Sequence, residues 1–393
     1  MEYNPFLPEV QQNPYPYYAY LRDHAPVYQV PSVGFWAISR YDDVFSILRN
    51  PQVFSSSIVT SALTGDLSVY PPQAPSIIAL DPPDHTRLRK LVNRAFTPRR
   101  IASLETHTRE VTHQLLEQIA SQGECDLVLD LAAPLPVINI AELLGIPPEQ
   151  RLMFRRWSDD ILLSANMGAM TSEDRERIRQ TITDFHAYIR KMIAVYREQP
   201  GNNLLSDLVR AEEEEQRLTA DEILSLVATL LPAGNETTSN LISNTVLALL
   251  DHPQELAKVR ANPALVPQVI EEVLRYDTPV QWLTRITMRE VEVAGITLPA
   301  GAPLMFLLGS ANRDERKFPD PDRFDITRNT GGHVAFGFGI HFCLGAELAR
   351  LEAKVTIEAL LRRFPQLARK DEHVTRIESV FVRGPKTLPL TVE

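Results

Sequence analysis

Helical periodicity over long segments constrains the fold of this chain more than any other feature. Apolar side chains recur at helical spacing in Ile101–Ala120, Glu173–Tyr196, Ala220–Asp251, Pro263–Tyr276 and Gly345–Phe364. Strand-like patterns are shorter and occur at Phe35–Ser39, Val291–Leu298, Pro303–Leu308 and Val380–Val392. The second and the fourth of these read as hairpins, and the fourth is expected to turn at Arg383–Lys386. The sequence therefore predicts a mainly α protein with small β-sheets.

The composition is enough for one large core, although the length alone would allow two or three average domains. The chain has 393 residues, of which 44% are hydrophobic, and neither an internal repeat nor a linker divides it. We therefore expect a single domain over residues 1–393, with a helix-rich body and a smaller β-rich N-terminal edge. Its 40 basic and 50 acidic residues give a formal net charge of -10, which argues against a protein that coats nucleic acid. We expect a monomer without a nucleic-acid partner.

The cysteines and the N-terminal segment predict a cytoplasmic protein. Cys125 and Cys343 are too few for a disulfide framework or a four-cysteine metal site. Met1–Ala19 has neither the basic start nor the apolar run of a signal peptide. The most apolar segment, Ile223–Leu250, is interrupted by Pro232 and by polar side chains, so we expect no membrane span.

The segment Phe336–Gly345 reads Phe-Gly-Phe-Gly-Ile-His-Phe-Cys-Leu-Gly, and a helical pattern begins directly after it. Cys343 is therefore expected at a helix N-terminus, where N–H groups and the helix dipole favour a thiolate. The glycines allow close backbone approach to a flat group, and Phe336 and Phe338 would keep water from the sulfur. Two alternatives are a catalytic cysteine with His341 as its base and a buried, inert cysteine.

This loop resembles the haem-binding loop of the cytochrome P-450 family, Phe-x-x-Gly-x-His-x-Cys-x-Gly. The matching positions are Phe336, Gly339, His341, Cys343 and Gly345. The resemblance implies haem b between a long central helix and the cysteine loop. Cys343 would be the axial thiolate, with Phe336 and Gly345 beside the cofactor. No Cys-x-x-Cys-His motif occurs in the sequence, so the haem is expected to be bound non-covalently.

The resemblance also assigns four basic residues to the haem propionates, which need cationic donors in a protein interior. They are His85 and Arg89, at i and i+4 of one predicted helix, together with Arg285 and His341. Each of them alone would more often be a solvated side chain.

Glu272 and Arg275 match a Glu-x-x-Arg motif of the same family, a structural ion pair that a later arginine joins. The resemblance places Arg323 in that third position. The alternative is an ordinary surface pair on a helix.

The apolar helix Ala220–Asp251 contains a second family motif, Ala-Gly-x-Glu-Thr. The resemblance places Ala233 and Gly234 against the haem. Thr237 would then hydrogen-bond the oxygen substrate, and Glu236 would relay protons from solvent. Pro232 departs from the motif, and we expect it to sharpen a kink in this helix.

An apolar lining is expected for the substrate pocket, which implies a small, mainly hydrophobic organic substrate. The candidates are Ile58, Leu63, Leu67, Val69, Tyr70, Thr229, Val280, Leu283 and Phe381. Each of them could equally be a core residue. The sequence contains no flavin or ferredoxin module, so the electrons are expected from a separate ferredoxin and ferredoxin reductase. Candidate docking residues on the thiolate side are Arg94, Arg99, Arg100 and Arg350.

The resemblance therefore implies a haem-thiolate monooxygenase that uses O2 for hydroxylation or epoxidation, in a setting such as secondary metabolism. A peroxide-driven hydroxylase of the same fold is one alternative, and the Glu236–Thr237 pair argues against it. A haem-binding carrier or sensor without catalysis is a second alternative. A helical scaffold without a cofactor is a third, and a colourless purified protein would support it.

Overall fold

A computed structural model describes residues 1–31, 33–58, 74–165, 171–213 and 216–392. Their α-helices, in chain order, are α1 (Pro8–Gln12), α2 (Tyr15–His24), α3 (Tyr41–Arg49), α4 (Asp84–Ala95), α5 (Pro98–Ala102), α6 (Glu105–Ala120), α7 (Pro134–Leu144), α8 (Arg151–Ala165), α9 (Ser172–Glu198), α10 (Leu204–Arg210), α11 (Ala220–Asp251), α12 (Pro253–Ala261), α13 (Val266–Tyr276), α14 (Leu308–Ala311) and α15 (Ala346–Arg363).

The strands of the described residues are short. They are β1 (Val27–Gln29), β2 (Trp36–Ile38), β3 (Phe54–Ser55), β4 (Glu124–Asp126), β5 (Glu212–Glu213), β6 (Gln216–Arg217), β7 (Leu283–Thr287), β8 (Val291–Val293), β9 (Ile296–Leu298), β10 (Pro303–Phe306), β11 (Leu367–Arg369) and β12 (Pro389–Val392). The largest sheet has the order β1-β2-β10-β7-β3, and a second sheet has the order β11-β12-β4. The remaining strands form the two-stranded pairs β5-β6 and β8-β9. This confirms the predicted mainly α architecture with small sheets.

The chain divides into two compact units. The first comprises Met1–Ser55, Thr108–Leu135 and Glu236–Glu393, and the second comprises Ser56–His107 and Pro136–Asn235. The core of the first unit lies between the largest sheet and α3, where Ile38, Val44 and Leu304 are fully buried. In the second unit, Phe154, Phe185 and Ile189 are likewise fully buried and hold α8 and α9 together.

Most of the predicted helices appear close to their predicted bounds. The helix α11 spans Ala220–Asp251, as its apolar periodicity predicts. The segment Ile101–Ala120 instead divides into α5 and α6. Between them the Ser103 hydroxyl donates a hydrogen bond to the Arg100 carbonyl at 2.7 Å, a local bond of the kind that competes with helix continuation.

One predicted hairpin is confirmed and the other is wrong. Val291–Leu298 turns at Ala294 and Gly295, whose φ angles of 46° and 80° suit a two-residue hairpin turn. In Val380–Val392 only β12 forms, and it pairs with β11 and β4. The segment before β12 bonds elsewhere, since the Arg383 amide donates to the Pro279 carbonyl at 2.7 Å.

No helix that the described residues form combines the length and the apolar character needed to cross a membrane.

Candidate active site

The cysteine loop of the first unit is closed by backbone hydrogen bonds. The Cys343 amide donates to the Phe336 carbonyl at 3.0 Å, and the Phe342 amide donates to the Gly339 carbonyl at 3.1 Å. Between them, Gly339–His341 forms one turn of 3-10 helix. The thiol is exposed, and neither cysteine of the chain forms a disulfide bond. The helix α15 begins three residues after Cys343, so the thiol lies beside a helix N-terminus as predicted.

Gly339 is required by both its conformation and its surroundings. Its φ of +72° lies in the left-handed region, which favours glycine. A Cβ at this position would lie 2.8 Å from the carbonyl oxygen of Leu48, in the last turn of α3. The loop therefore packs directly against the backbone of α3. Gly345 differs, because its φ is −87° and a Cβ there would be 4.0 Å from the Cys343 Sγ.

An ion-pair cluster supports the aromatic side of the loop. The Arg350 guanidinium donates to both oxygens of Glu271, at 2.7 and 3.1 Å, and lies 4.6 Å from the centre of the Phe336 ring. His333 Nε2 lies 3.0 Å from Glu271 Oε2. Burial acts to raise the pKa of Glu271, but the hydrogen bonds from His333 and Arg350 outweigh it and lower that pKa to about 2. Arg350, a candidate docking residue, is therefore engaged in holding Phe336.

The Glu-x-x-Arg motif forms a buried ion pair, and its third member differs from the predicted one. The Arg275 guanidinium donates to both oxygens of Glu272 at 2.8 Å, and both side chains are fully buried. The third arginine is Arg328, whose Nε lies 3.1 Å from Glu272 Oε1. The prediction of Arg323 is wrong, because its side chain is 66% exposed and pairs with Asp325. Arg323 contributes only its carbonyl, which accepts from Arg275 at 3.3 Å.

The four residues predicted for the haem propionates lie on elements of both units. In the first unit, Arg285 is buried on β7 with its guanidinium 5.4 Å from the Phe306 ring, and Nη1 donates to the Thr284 carbonyl at 2.7 Å. His341 is half-buried at the end of the 3-10 turn. In the second unit, His85 is buried in the first turn of α4, and Arg89 follows one turn later, half-buried.

The helix α11 continues through Pro232 without a break. A Cβ on Gly234 would meet no atom of the described residues within 4 Å, so protein packing alone does not require a glycine there. Ala233 is exposed, while Glu236 and Thr237 are half-buried. Burial raises the pKa of the Glu236 carboxyl.

The predicted pocket residues are only partly described. Leu63, Leu67, Val69 and Tyr70 lie outside the described residues. In the second unit, Ile58 is half-buried, and the Thr229 hydroxyl lies 2.9 Å from Ser76 Oγ and donates to the Ser225 carbonyl. In the first unit, Val280 and Leu283 pack against the core beside the largest sheet. Phe381 packs edge-on against Trp282, with ring centres 5.7 Å apart.

Two side chains near these motifs were not predicted. Asn235, next to Glu236 in α11, is buried and donates to Ser158 Oγ at 2.5 Å. The His333 ring packs at a tilt beside the Phe336 ring, and its bond to Glu271 holds it there. Neither residue belongs to a motif or a spacing that could have been recognised in the sequence.

The donor set fits a haem. Among the described residues, no three His, Cys, Asp or Glu side chains converge as ligands for a bare metal ion. A haem needs far less from the protein, because the porphyrin nitrogens supply four ligands and a single axial thiolate suffices. Cys343 is an exposed thiol of that kind beside a helix N-terminus.

Comparisons with known proteins identify the family of the chain. The family model "Cytochrome P450" matches residues 149–392. Cytochrome P450 107B1 of Saccharopolyspora erythraea is 41% identical over 388 residues, which cover 95% of this chain and 93% of that protein.

Two solved structures have the same fold. Cytochrome P450 CYP109Q5 from Chondromyces apiculatus superposes with a TM-score of 0.91 at 43% identity, covering 100% of this chain and 98% of that one. CYP109E1 from Bacillus megaterium, solved in complex with testosterone, has a TM-score of 0.88 at 37% identity, with coverage of 97% and 99%. The chain belongs to the cytochrome P450 family and is a monooxygenase with haem b ligated by a cysteine thiolate.

Proposed function

We propose that Cys343 is the axial thiolate of this enzyme and that the enzyme oxidises a hydrophobic organic substrate by hydroxylation or epoxidation. The observation that carries the proposal is the exposed Cys343 thiol in a loop closed onto Phe336, three residues before α15. The N-terminus of that helix stabilises a negative charge on sulfur. Cys125, the other cysteine, is buried, and burial raises its pKa to about 12, so it is unsuited to the same role.

The bound haem supplies an iron centre at which O2 is activated. Around it, Phe336 would limit access of water to the sulfur, and the glycines of the loop would allow close approach of the porphyrin. His85, Arg89, Arg285 and His341 would neutralise the propionates. Arg285 and His85 suit this role because both side chains are buried on regular elements and can donate hydrogen bonds to a carboxylate.

Glu236 would relay protons from solvent, and Thr237 would hydrogen-bond the oxygen substrate. Because burial raises the pKa of Glu236, its carboxyl retains a proton at a higher pH than an exposed glutamate does. A group of this kind can donate a proton and recover it from solvent. The Thr237 hydroxyl, on the next residue, can accept and donate at the same time.

We infer the substrate class from the apolar residues proposed for the pocket and from the ligand bound to one relative. The CYP109E1 relative was solved with testosterone bound. We extend this to the present chain as a preference for hydrophobic molecules of about steroid size. Separate ferredoxin and reductase proteins would deliver the electrons. In the second unit, Arg94 and Arg99 are exposed beside Arg100 and Arg210, which both pair with Asp207, so four arginines and one carboxylate leave a local basic surface on a chain of net charge -10. An acidic ferredoxin fits that surface.

The test uses the two cysteines as matched positions. We expect Cys343→Ser to lose the thiolate-type absorption band of the reduced carbon monoxide complex, and Cys125→Ser to keep it. A thiolate-type band in Cys343→Ser would overturn the assignment.

A library of steroids and fatty acids is then screened by shifts of the haem band, and hits are turned over with a ferredoxin and its reductase. Product formed with peroxide alone, and none with the reductase system, would instead support the peroxide-driven alternative.

A further inference from the structure

Four polar residues of α11 lie along one side of the helix, all within the first unit. They are Glu236, Asn240, Ser243 and Asn244, at spacings of four, seven and eight residues. At about 100° per residue, the first three lie within roughly 60° of one another, and Asn244 lies about 80° from Glu236. One polar stripe therefore runs from the proposed proton donor toward the C-terminal end of the helix.

Two members of this stripe carry polar atoms that the protein does not satisfy. Asn240 is 4% exposed and Ser243 is 1% exposed. Among the described residues, neither Asn240 Nδ2 nor Ser243 Oγ has a hydrogen-bond partner, and the same holds for the fully buried Thr278 Oγ1. Native proteins satisfy most such atoms, and ordered water is the usual partner where the protein offers none.

These three atoms belong to segments that meet at one crossing. Asn244 Nδ2 donates to the carbonyls of Asp277 and Arg383, both at 3.0 Å. Thr278 directly follows the first of these carbonyls, and Gly384 directly follows the second. Gly384 lies so close to Asn240 that a Cβ there would overlap the Asn240 amide. The unsatisfied atoms are therefore concentrated where two loops cross α11.

The crossing opens on a surface cavity of about 570 Å³. Asn244 and Asp277 line it, and Arg376 Nη1 donates to Asn244 Oδ1 at 3.0 Å. Exposed residues at its outer side include Gln12 and His373. The cavity is lined by four arginines and by four carboxylates, so its formal charge is balanced and does not repel a proton. The arginines are Arg313, Arg369, Arg376 and Arg383, and the carboxylates are Asp251, Asp277, Asp322 and Glu372.

We propose that a file of buried water molecules runs along this stripe, from the cavity at Asn244 past Ser243 and Asn240, and returns protons from solvent to Glu236. The inference rests on the proposed role of Glu236. Each water accepts one proton and passes on another, and the Ser243 hydroxyl can do the same, so no net charge accumulates. The Asn240 amide orients the neighbouring water. Neither residue touches the substrate or the cofactor: Asn240 positions a water molecule, and Ser243 relays a proton between neighbouring waters.

The first test is structural. A high-resolution crystal structure of the haem-loaded enzyme is expected to show water hydrogen-bonded to Asn240 Nδ2, Ser243 Oγ and Thr278 Oγ1. In Ser243→Ala the water at position 243 is expected to be lost or displaced. A dry crossing in the wild-type protein would overturn the proposal.

The second test is kinetic and has a matched control. Ser243→Ala is expected to lower product per NAD(P)H several-fold and to raise the solvent isotope effect on kcat, with substrate KM unchanged. Thr245→Val is the control, since Thr245 is equally buried, lies on the opposite face of α11, and its hydroxyl is bonded to the Leu241 carbonyl at 2.6 Å. The control is expected to retain coupling and isotope effect. Equal behaviour of the two variants would overturn the route.

A third variant separates this route from the role of Glu236 itself. If Glu236→Gln uncouples the enzyme and Ser243→Ala does not, the water route is wrong and the role of Glu236 stands. If Glu236→Gln leaves coupling intact, the proposed role of Glu236 is wrong, and the route to it fails as well.

Discussion

Arg328 Nε lies 3.1 Å from the same Glu272 oxygen that accepts a bond from Arg275, so one buried carboxylate holds two arginines. Arg328 also donates to the carbonyls of Asp320 and Arg323, at 2.8 and 2.9 Å. It therefore ties the segment before the cysteine loop to α13. We therefore expect Arg328 to contribute more to the stability of the fold than an exposed arginine does.

We expect Arg328→Met to lower the free energy of unfolding by about 2–4 kcal/mol, because it weakens a buried network and leaves carbonyls unsatisfied. Arg323→Met is the matched control, five residues away with an exposed side chain, and we expect it to change stability by less than about 1 kcal/mol. Urea unfolding of the haem-loaded proteins measures both. Equal losses in the two variants would contradict the assignment of Arg328.

Gly339→Ala is expected to destabilise the cysteine loop and weaken haem retention. The new Cβ would meet the Leu48 carbonyl in addition to the strain of a positive φ, which together cost about 2–4 kcal/mol. Gly337→Ala lies in the same loop with a φ of +68°, and the nearest atom to its Cβ is 3.9 Å away, so it isolates the cost of φ within the loop. The rate of haem transfer to apomyoglobin is the measurement. A transfer rate in Gly339→Ala no faster than in Gly337→Ala would show that the contact with Leu48 is unimportant.

Glu271 is expected to give the folded state a pH dependence in the acid range. Although burial opposes it, the bonds from His333 and Arg350 lower the folded-state pKa to about 2, and an unfolded glutamate titrates at about 4.3. The stabilisation is therefore complete above about pH 4.3 and is lost as the pH falls toward 2. Urea unfolding between pH 3 and 6 should show a shallower pH dependence for Glu271→Gln than for the wild type.

The control for that series is Glu347→Gln. Glu347 also accepts from Arg350, at 3.1 Å, but its side chain is 70% exposed, so its loss should leave the acid slope nearly unchanged. An unchanged slope in Glu271→Gln would refute the pairing.

Thr237→Ala and Glu236→Gln are expected to uncouple electron consumption from product formation. A positioned proton donor typically contributes about a hundredfold or more to rate, so we expect product per NAD(P)H to fall by about tenfold or more. Thr238→Val, one residue further along α11 and buried, is the control and should stay coupled. Product and peroxide are measured against NAD(P)H consumed. Full coupling in Thr237→Ala would remove this residue from the proposed chemistry.

Long periodic elements and local motifs were predictable from the sequence. The bounds of α11 follow from the helical spacing of its apolar residues, and the placement of Cys343 beside α15 follows from a loop motif directly before a helical pattern. Both depend on neighbours in sequence, which is why they could be predicted.

The choice of distant partners was not predictable in the same way. Arg323 and Arg328 lie in one irregular segment, and only the path of that segment decides which guanidinium reaches Glu272. The alternation in Val380–Val392 indicated strands correctly only for β12, whose partners β11 and β4 are remote in sequence. The unsatisfied amide of Asn240 has no sequence signal, because it depends on which remote segments pack against α11.

The contact between Gly339 and the Leu48 carbonyl has a consequence for the order of folding. Its two residues are about 290 positions apart, so the loop that presents Cys343 closes only after a search over most of the chain. The helix α3, which carries Leu48, must therefore be in place before the loop can close on it. We expect a newly made chain to form this loop late in folding, so that haem capture reports completed folding of the first unit.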